Sequence, residues 1–354
     1  MDMIQILKDA VEHHASDIFV IAGLPVSYKV NGTIIRTHQE NLMPAQTETM
    51  VREIYALAGD RDLNHVTLEG DDDFSFSLKG ISRFRVNAYR QRSSLAAVIR
   101  VVTFDLPDPH EIGIPDTVLN LADRTKGLVL VTGPAGSGKS TTLACMIDRI
   151  NRTRSAHVIT LEDPLEYLHK HNKSIVSQRE ISTDTESYVK ALRSALRQAP
   201  DVILLGEMRD YETINVAMTA AETGHLIFST LHTIGAANTI DRIIDAFPPN
   251  QQHQIRIQLS MVLQAVVSQQ ILPTVDGKEV PAFEIMLVNS AIRNMIRESK
   301  VHQIDTVIYS SAGEGMQSMD SSLLDLYQKN LIRQSDMLTY STNPDQMLKK
   351  IKNM

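Results

Sequence analysis

The sequence predicts a protein in which a small α+β domain precedes a larger α/β domain, and its 354 residues are enough for two domains. Three observations support this prediction. Short strands occur before residue 105, continuous apolar strands separated by helices occur after residue 115, and a glycine-rich loop joins the first of those later strands to a helix. We therefore place the two domains at residues 1–104 and 116–354.

The first domain carries the pattern of a mostly antiparallel sheet. Asn31-Gly32 lies between two apolar runs and predicts a tight hairpin turn. Apolar and polar residues alternate strictly in one later strand, so its apolar side chains face a core while Arg83 and Arg85 are expected to be exposed. The predicted elements are a helix within 2–15, strands at 18–21, 26–30, 33–35, 83–89 and 95–102, and a helix at 50–57.

The second domain follows residues 105–115, where three prolines and a glycine among acidic residues predict an extended linker. After this linker the strands are apolar without alternation and are separated by helices. That pattern predicts a parallel sheet covered by helices on both faces. The predicted strands are 128–132, 157–161, 202–205 and 226–230.

Composition limits the classes of partner. A net charge of −7, few aromatic residues and no tryptophan argue against nucleic acid as a partner. The single cysteine, Cys145, excludes an internal disulfide and a zinc site of several cysteines. The first residues do not resemble a signal peptide, and the sequence lacks the run of about 20 apolar residues that spans a bilayer. We expect a cytoplasmic protein that contacts membranes through partners.

A phosphate-binding loop follows the first apolar strand of the second domain. It fits the Walker A pattern and precedes a helix that begins near Lys139, as phosphate binding requires. Backbone N–H groups close around phosphate, Lys139 reaches the β- and γ-phosphates, and Ser140 can ligate Mg²⁺. The predicted cofactors are therefore ATP and Mg²⁺. The predicted nucleotide-binding residues of the loop are Gly133, Pro134, Ala135, Gly136, Ser137, Gly138, Lys139, Ser140 and Thr141.

A second apolar strand, residues 202–205, runs into Gly206 and Glu207, as a Walker B element does. Gly206 stands where many P-loop enzymes have the aspartate that holds the metal. Glu207 is therefore expected to act at the metal, through its water, or to polarise the attacking water. A strand that ends in glutamate is by itself equally consistent with a structural role.

Three further acids, Glu162, Asp163 and Glu166, follow the strand at 157–161. Ligands of open α/β sheets bind at the carboxyl ends of strands, so these groups are expected at the same crevice as the phosphate-binding loop. A carboxylate there can orient and deprotonate the lytic water. Glu166 is the first choice of general base and Glu162 the second, although each acid is also consistent with a capping or solvated role.

Two histidines, His225 and His232, flank the strand at 226–230. An imidazole at either boundary can sense the γ-phosphate or contact acidic neighbours. The two lie at opposite ends of a strand, so they are not expected to share a metal.

These motifs resemble, in order and spacing, the secretion ATPase family that powers type IV pili, type II secretion and competence machines. The resemblance rests on the Walker A loop, the Asp box at 159–166, the Walker B element at 201–209 and the His box at 223–232. It covers essentially the whole chain. It implies a small PAS-like α+β domain followed in sequence by a RecA-like P-loop NTPase domain. It also implies a homohexameric motor that hydrolyses ATP.

The family resemblance also implies roles for residues outside these motifs. Residues 291–298 look like the signature of the retraction branch, which drives pilus disassembly and twitching motility. By its own pattern this segment is an amphipathic helix, and the resemblance makes it a contact with pilus machinery or a neighbouring subunit. Arg83, Arg85 and Arg100 match basic positions that approach the phosphates across subunits. The implied partner is the pilus platform protein of the inner membrane.

Two departures from relatives bear on this interpretation. Extension and type II secretion motors carry extra N-terminal domains and usually a tetracysteine zinc site, so a chain with one cysteine favours retraction. Phe19 stands where many relatives carry histidine, which leaves the role of that position open.

Three alternatives remain at this point. The chain could be an accessory, competence or type II secretion motor of the same family. It could also be a RecA-like nucleic-acid motor, which the acidic charge disfavours. A nucleotide-dependent switch with little turnover is favoured by Gly206 alone.

Overall fold

A computed structural model describes residues 2–30, 32–37, 40–102 and 106–352. The chain divides into two compact units: Met1–Asp105 with Glu166–Leu168 form the first, and Leu106–Leu165 with His169–Met354 form the second. The segment predicted as a linker is irregular from residue 106 onward. It belongs to the second unit, where Ile114 is buried in the core. The predicted domain limits stay a prediction.

The first unit contains an antiparallel sheet of six strands within its described residues, in the order β3-β2-β1-β6-β5-β4. A π-helical turn at His65–Glu69 precedes β4. The elements are α1 Met3–Glu12, β1 Asp17–Val20, β2 Ser27–Val30, β3 Thr33–Arg36, α2 Pro44–Leu57, β4 Asp71–Leu78, β5 Ser82–Gln91 and β6 Ser94–Val102.

One face of this sheet is apolar and packs on α1 and α2. In β5, Phe84, Val86 and Ala88 are fully buried, as the alternation predicts. Arg83 and Arg85 are half-buried rather than exposed, because neighbouring strands flank them on both sides. Val30 pairs with Thr33, which fits the predicted two-residue hairpin turn, although Asn31 itself lies outside the described residues. This sheet therefore has one polar face.

The second unit is built on a sheet of seven strands within its described part, in the order β13-β12-β7-β11-β10-β8-β9. Strand β13 pairs antiparallel with β12, and the other pairs are parallel. The elements up to the last strand are α3 Asp116–Leu119, β7 Gly127–Thr132, α4 Lys139–Thr153, β8 His157–Glu162, β9 Ile175–Glu180, α5 Tyr188–Ala195, β10 Val202–Leu205, α6 Tyr211–Glu222, β11 Leu226–Leu231, α7 Ala236–Asp245, α8 Pro249–Val262, β12 Leu263–Pro273 and β13 Glu279–Leu287.

The four predicted strands of this sheet are present and parallel, and three strands were missed. β9 carries too many polar residues to be recognised as a strand. β12 begins at the residue after the end of α8, so no turn residues mark its start. Side chains of the central strands fill a hydrophobic core on each face of the sheet. Polar groups are therefore available for chemistry mainly at the strand ends.

Helices follow the sheet: α9 Ser290–Arg297, α10 Ile304–Ser310, α11 Met319–Gln328, α12 Gln334–Tyr340 and α13 Pro344–Lys352. The predicted helix at 291–298 is present as α9, with Ile292 and Ile296 buried. The last three helices share a small core with the outer ends of β12 and β13. Across the described residues, every helix is too short or too polar to cross a membrane.

Candidate nucleotide-binding site

The phosphate-binding loop leaves the carboxyl end of β7 and enters α4. Gly133 has a φ of +140°, and a Cβ there would lie 2.1 Å from the carbonyl oxygen of Gln269 on β12. Backbone conformation and space therefore both require glycine at this position. The loop keeps its N–H groups near the N-terminus of α4, a cradle that suits an anion.

The Lys139 side chain lies inside this loop. Its Nζ donates hydrogen bonds to the carbonyl oxygens of Gly133 at 2.9 Å and Pro134 at 2.8 Å, and the residue is buried. Ser140 and Thr141 follow in the first turn of α4 and are half-buried. The predicted loop residues are thus gathered at one edge of the sheet, where they fit the phosphates of a nucleotide.

Gln269 supports the loop from β12, and no motif in the sequence pointed to it. Thr142 Oγ1 donates a hydrogen bond of 2.8 Å to Gln269 Oε1, and Gly138 packs closely against the same side chain. Beside these residues lies a pocket of about 270 Å³ that includes Thr141 and Ile271. Its partly apolar lining, next to the phosphate cradle, suits a nucleobase.

Glu207 lies just past the end of β10 and is held by two partners. Arg209 Nε lies 2.5 Å from Glu207 Oε1, and His232 Nε2 lies 3.5 Å from Glu207 Oε2. The Glu207 side chain is 13% exposed. The structure thus brings together the Walker B glutamate and the His-box histidine, two groups that the sequence placed in separate motifs.

Tyr188 is the first residue of α5, and no motif in the sequence pointed to it either. Its hydroxyl oxygen lies 2.7 Å from the position that a Cβ at Gly206 would take. Burial raises the pKa of Tyr188, and the negative charges of Glu207, Asp163 and Glu162 raise it further. The hydroxyl is therefore neutral beside these acids.

The acids after β8 divide between two places. Glu162 ends the strand, where Gln178 Nε2 donates a hydrogen bond of 3.5 Å to its Oε1. Asp163 is exposed and follows directly. Glu166, the expected base, is exposed and belongs to the first compact unit. Its catalytic role stays a prediction.

The two histidines lie at opposite edges of the sheet. His232 follows the carboxyl end of β11, whereas His225 precedes its amino end, where its carbonyl accepts from Gly127 N. A strand of this length spans roughly 20 Å. The structure therefore does not bring His225 to the phosphate-binding edge of the sheet, and its ring Nδ1 instead lies within hydrogen-bond distance, 3.0 Å, of the carbonyl oxygen of Ala220.

The predicted arginines belong to the first unit. Arg85 and Arg100 are directly paired across β5 and β6 on the polar face of the sheet. Arg100 Nε lies 3.0 Å from Asp17 Oδ1 and its side chain is 65% exposed. Arg83 lies on the same face of β5, and the pocket that Arg85 and Arg100 line also contains Asp17 and Asp73, so acidic groups share this polar face.

A resident metal site made by protein side chains is not found in the described part of the chain, where no three His, Cys, Asp or Glu residues cluster suitably. Mg²⁺ in nucleotide sites is commonly held by one or two side chains together with phosphate oxygens. Ser140 and Glu207, predicted as its ligands, lie at the edge where such an ion would bind.

A parallel sheet that presents a Walker A loop and strand-end carboxylates at one edge defines a P-loop ATPase of the RecA-like class. The family of type II/IV secretion system proteins matches residues 2–306, and the chain belongs to that family. The resemblance drawn from the sequence motifs is confirmed.

Individual relatives agree with this assignment. The chain is 45% identical over 332 residues to the type IV pilus retraction ATPase PilT of Pseudomonas aeruginosa, covering 94% of this chain and 96% of the relative. It is 39% identical over 355 residues to the type IV pilus ATPase PilU of the same organism, covering 99% and 92%. A crystal structure of the pilus retraction motor PilT with bound ADP superposes with a TM-score of 0.88 at 46% identity, over 100% of both chains.

Proposed function

We propose that this protein is an ATP-hydrolysing motor that works as a homohexamer and drives retraction of a type IV pilus. The observation that carries the proposal is the gathering of Lys139, Glu207 and His232 at one edge of the parallel sheet. The relatives named as pilus retraction ATPases support the direction of movement.

In this proposal each group at the edge has a role. Lys139, Ser140 and Thr141 would bind the phosphates, Ser140 and Glu207 would hold Mg²⁺, and Glu207 would also orient the attacking water. His232 would sense the γ-phosphate. Mg²⁺ supplies positive charge that offsets the charge developing during phosphoryl transfer. Glu166 or Glu162 takes the proton of the lytic water, and Asp163 contacts the same crevice.

The arginines of the first unit act across subunits in the proposed ring. Arg83, Arg85 and Arg100 would approach the phosphates of a neighbouring subunit and stabilise charge in the transition state, as an arginine supplied on closure does. The cycle would act on a platform protein at the inner face of the cytoplasmic membrane. We propose no nucleic-acid partner, and membrane contact through partners.

Helix α9 is the proposed surface for relaying movement. Arg293 Nη1 donates to the carbonyls of Ser260 at 2.8 Å and Met261 at 3.0 Å, so this residue ties α9 to the end of α8. Asn294, Arg297 and Glu298 are exposed. Alanine at those three exposed positions should spare ATP hydrolysis and abolish pilus retraction. Retraction that persists in this variant would show that α9 does not relay the movement.

An accessory motor is the second candidate, because the chain is also similar over 99% of its length to PilU, whose name gives a type IV pilus ATPase without specifying retraction. The two candidates differ in what happens when the gene is deleted. Loss of a principal retraction motor abolishes retraction, whereas loss of an accessory motor leaves some retraction.

The experiment that tests the proposed ATPase is steady-state hydrolysis with Mg²⁺ by the parent, Lys139→Ala and Glu166→Gln, each with and without DNA. Turnover that both variants lose and that DNA leaves unchanged supports the motor and its base. Stimulation by DNA would favour a nucleic-acid motor, and absent turnover in the parent would favour a switch. Activity retained in Glu166→Gln alone would transfer the base to Glu162.

A further inference from the structure

Gly206 raises a question that the Walker B pattern leaves open, because its backbone lies outside the left-handed region that favours glycine. Space explains the glycine instead. A Cβ at this position would lie 2.7 Å from the Tyr188 hydroxyl oxygen, 3.3 Å from the Leu161 carbonyl and 3.4 Å from Glu162 Cα. The shortest of these contacts is one that real Cβ atoms essentially never make. The Tyr188 hydroxyl thus occupies the space into which a side chain at 206 would project.

The position of that hydroxyl is set by the start of α5. Ser187 caps the helix by accepting a hydrogen bond from Lys190 N, and Ala191 and Leu192 are fully buried beneath the sheet. The Tyr188 ring packs against the same hydrophobic core. A ring held by its core contacts keeps the hydroxyl in one place without help from a ligand.

The surroundings of the hydroxyl are acidic. Burial has the largest effect on the pKa of Tyr188 and raises it. The negative charges of Glu207, Asp163 and Glu162 raise it further, and the positive charge of Arg209 lowers it. A phenol has an ordinary pKa of about 10 and is protonated at neutral pH, so the Tyr188 hydroxyl is available as an O–H donor. It lies 2.7 Å from the position that a Cβ at Gly206 would take, which is itself 3.4 Å from Glu162 Cα, and Glu207 follows Gly206 in the chain. An O–H donor among carboxylates makes hydrogen bonds that are stronger than those between neutral groups.

We propose that Tyr188 is a positioning residue of the ATPase site, whose hydroxyl fills the space above Gly206 and donates a hydrogen bond within the carboxylate group formed by Glu162, Asp163 and Glu207. This inference rests on the proposed function. The Tyr188 hydroxyl would hold the strand-end carboxylates in a fixed arrangement. The Walker B element needs this support because it has glycine where many P-loop enzymes have aspartate. Tyr188 acts through these carboxylates and does not contact the reacting atoms itself.

Tyr188→Phe tests this role because it removes the hydroxyl and keeps the ring. We expect kcat to fall about tenfold, the rate equivalent of one hydrogen bond to a charged group. The KM for ATP and the Tm should stay at parental values, since the core contacts of the ring remain. A merely structural tyrosine would instead lower the Tm and leave kcat per folded molecule unchanged. Tyr211→Phe is the matched control, because Tyr211 also begins a helix of this unit but is exposed.

A second experiment uses the short distance between Gly206 and the Tyr188 hydroxyl. Gly206→Ala puts a methyl group against the hydroxyl and should lower kcat by about tenfold or more. In the Tyr188→Phe background the same substitution should cost little further, because the group it collides with is gone. Additive losses in the double variant would show that the two positions are independent and would overturn the inference.

The outcomes separate the two proposals. Absence of turnover in the parent overturns the ATPase function and this inference together. A parent that hydrolyses ATP, with Tyr188→Phe within twofold of its kcat, leaves the ATPase function standing and overturns the role of Tyr188. A selective fall in kcat together with the non-additive double variant supports it.

Discussion

The two sheets of this protein expose their chemical groups in different ways. In the antiparallel sheet of the first unit, one face is buried and the other is polar, so Arg85 and Arg100 project from within their strands. In the parallel sheet of the second unit both faces are buried, and Lys139, Glu207 and His232 lie beyond the strand ends. The pattern of burial therefore decides whether a strand offers chemistry along its length or at its end.

Because of this difference, substitutions that alter stability and substitutions that alter the site fall at different positions. Strand interiors of the parallel sheet contribute packing, and a change at a strand end alters the site with little loss of packing. On the polar face of the antiparallel sheet, a charged side chain can be removed with little change in either core. Four predictions test this contrast, in order of decreasing expected effect.

The largest effect is expected from the cores themselves. Phe84 on β5 and Phe228 on β11 are both fully buried, so Phe84→Ala and Phe228→Ala should each lower the free energy of unfolding of their unit by about 3–5 kcal/mol. Hydrogen exchange followed separately in β5 and β11 measures each loss. A cost below about 1 kcal/mol for Phe84→Ala would mean that the core on the single buried face is loosely packed.

The next effect concerns a strand end. Glu207→Gln should lower steady-state ATP turnover by about a hundredfold or more, because removing one preorganised polar group from an active site has an effect of this size. The fold should be retained, as judged by circular dichroism and Tm. Glu212→Gln, an exposed acid that pairs with Arg193, is the control and should keep parental turnover. Equal loss in both variants would point to a general effect of charge.

A smaller effect is expected from an ion pair of the first unit in which Asp72 is buried and Arg61 is half-buried. Arg61 donates two hydrogen bonds to the Asp72 carboxylate, each 2.8 Å long, and Tyr55 Oη donates a third at 2.8 Å. Burial by itself would raise the pKa of Asp72, but these hydrogen bonds outweigh burial and lower it. Asp72→Asn should therefore cost about 2 kcal/mol of unfolding free energy at pH 7.

The pH dependence of that loss has a definite sign. A carboxylate with a lowered pKa in the folded state stabilises the fold above its unfolded pKa of about 3.9, and this contribution is lost as the pH falls through the folded value. The gap between parent and Asp72→Asn in denaturant titrations should shrink below about pH 4. A gap that is constant from pH 7 to pH 3 would contradict the ionised state of Asp72.

The smallest effect on stability is expected from Arg100→Ala. Arg100 is 65% exposed, and its buried partner Asp17 still accepts a hydrogen bond from Ser16 Oγ, so loss of Arg100 should change the unfolding free energy by about 1 kcal/mol. Turnover should nevertheless fall if Arg100 approaches a neighbour's phosphates as proposed. Arg36→Ala, at an exposed position on the edge strand β3, is the control for loss of a positive charge. Unchanged turnover in Arg100→Ala would show that this arginine does not act at the nucleotide site.

The sequence by itself determined the features that depend on local pattern. Alternation in β5 predicted the buried face of the first sheet, because side chains of a strand point alternately to its two sides. Continuous apolar runs predicted the central parallel strands, and the Walker A loop lies where the strand and helix pattern placed it. The separation of His225 from His232 also follows from strand direction alone.

Tertiary structure decided the features that depend on neighbours distant in sequence. Gln269 contacts the phosphate-binding loop because β12 pairs with β7, and Glu207 meets His232 because β10 and β11 are adjacent. The place of Tyr188 above Gly206 depends on how α5 packs against the sheet. Periodicity reports which face of a segment is buried, whereas the order of strands and the packing of helices decide which side chains meet.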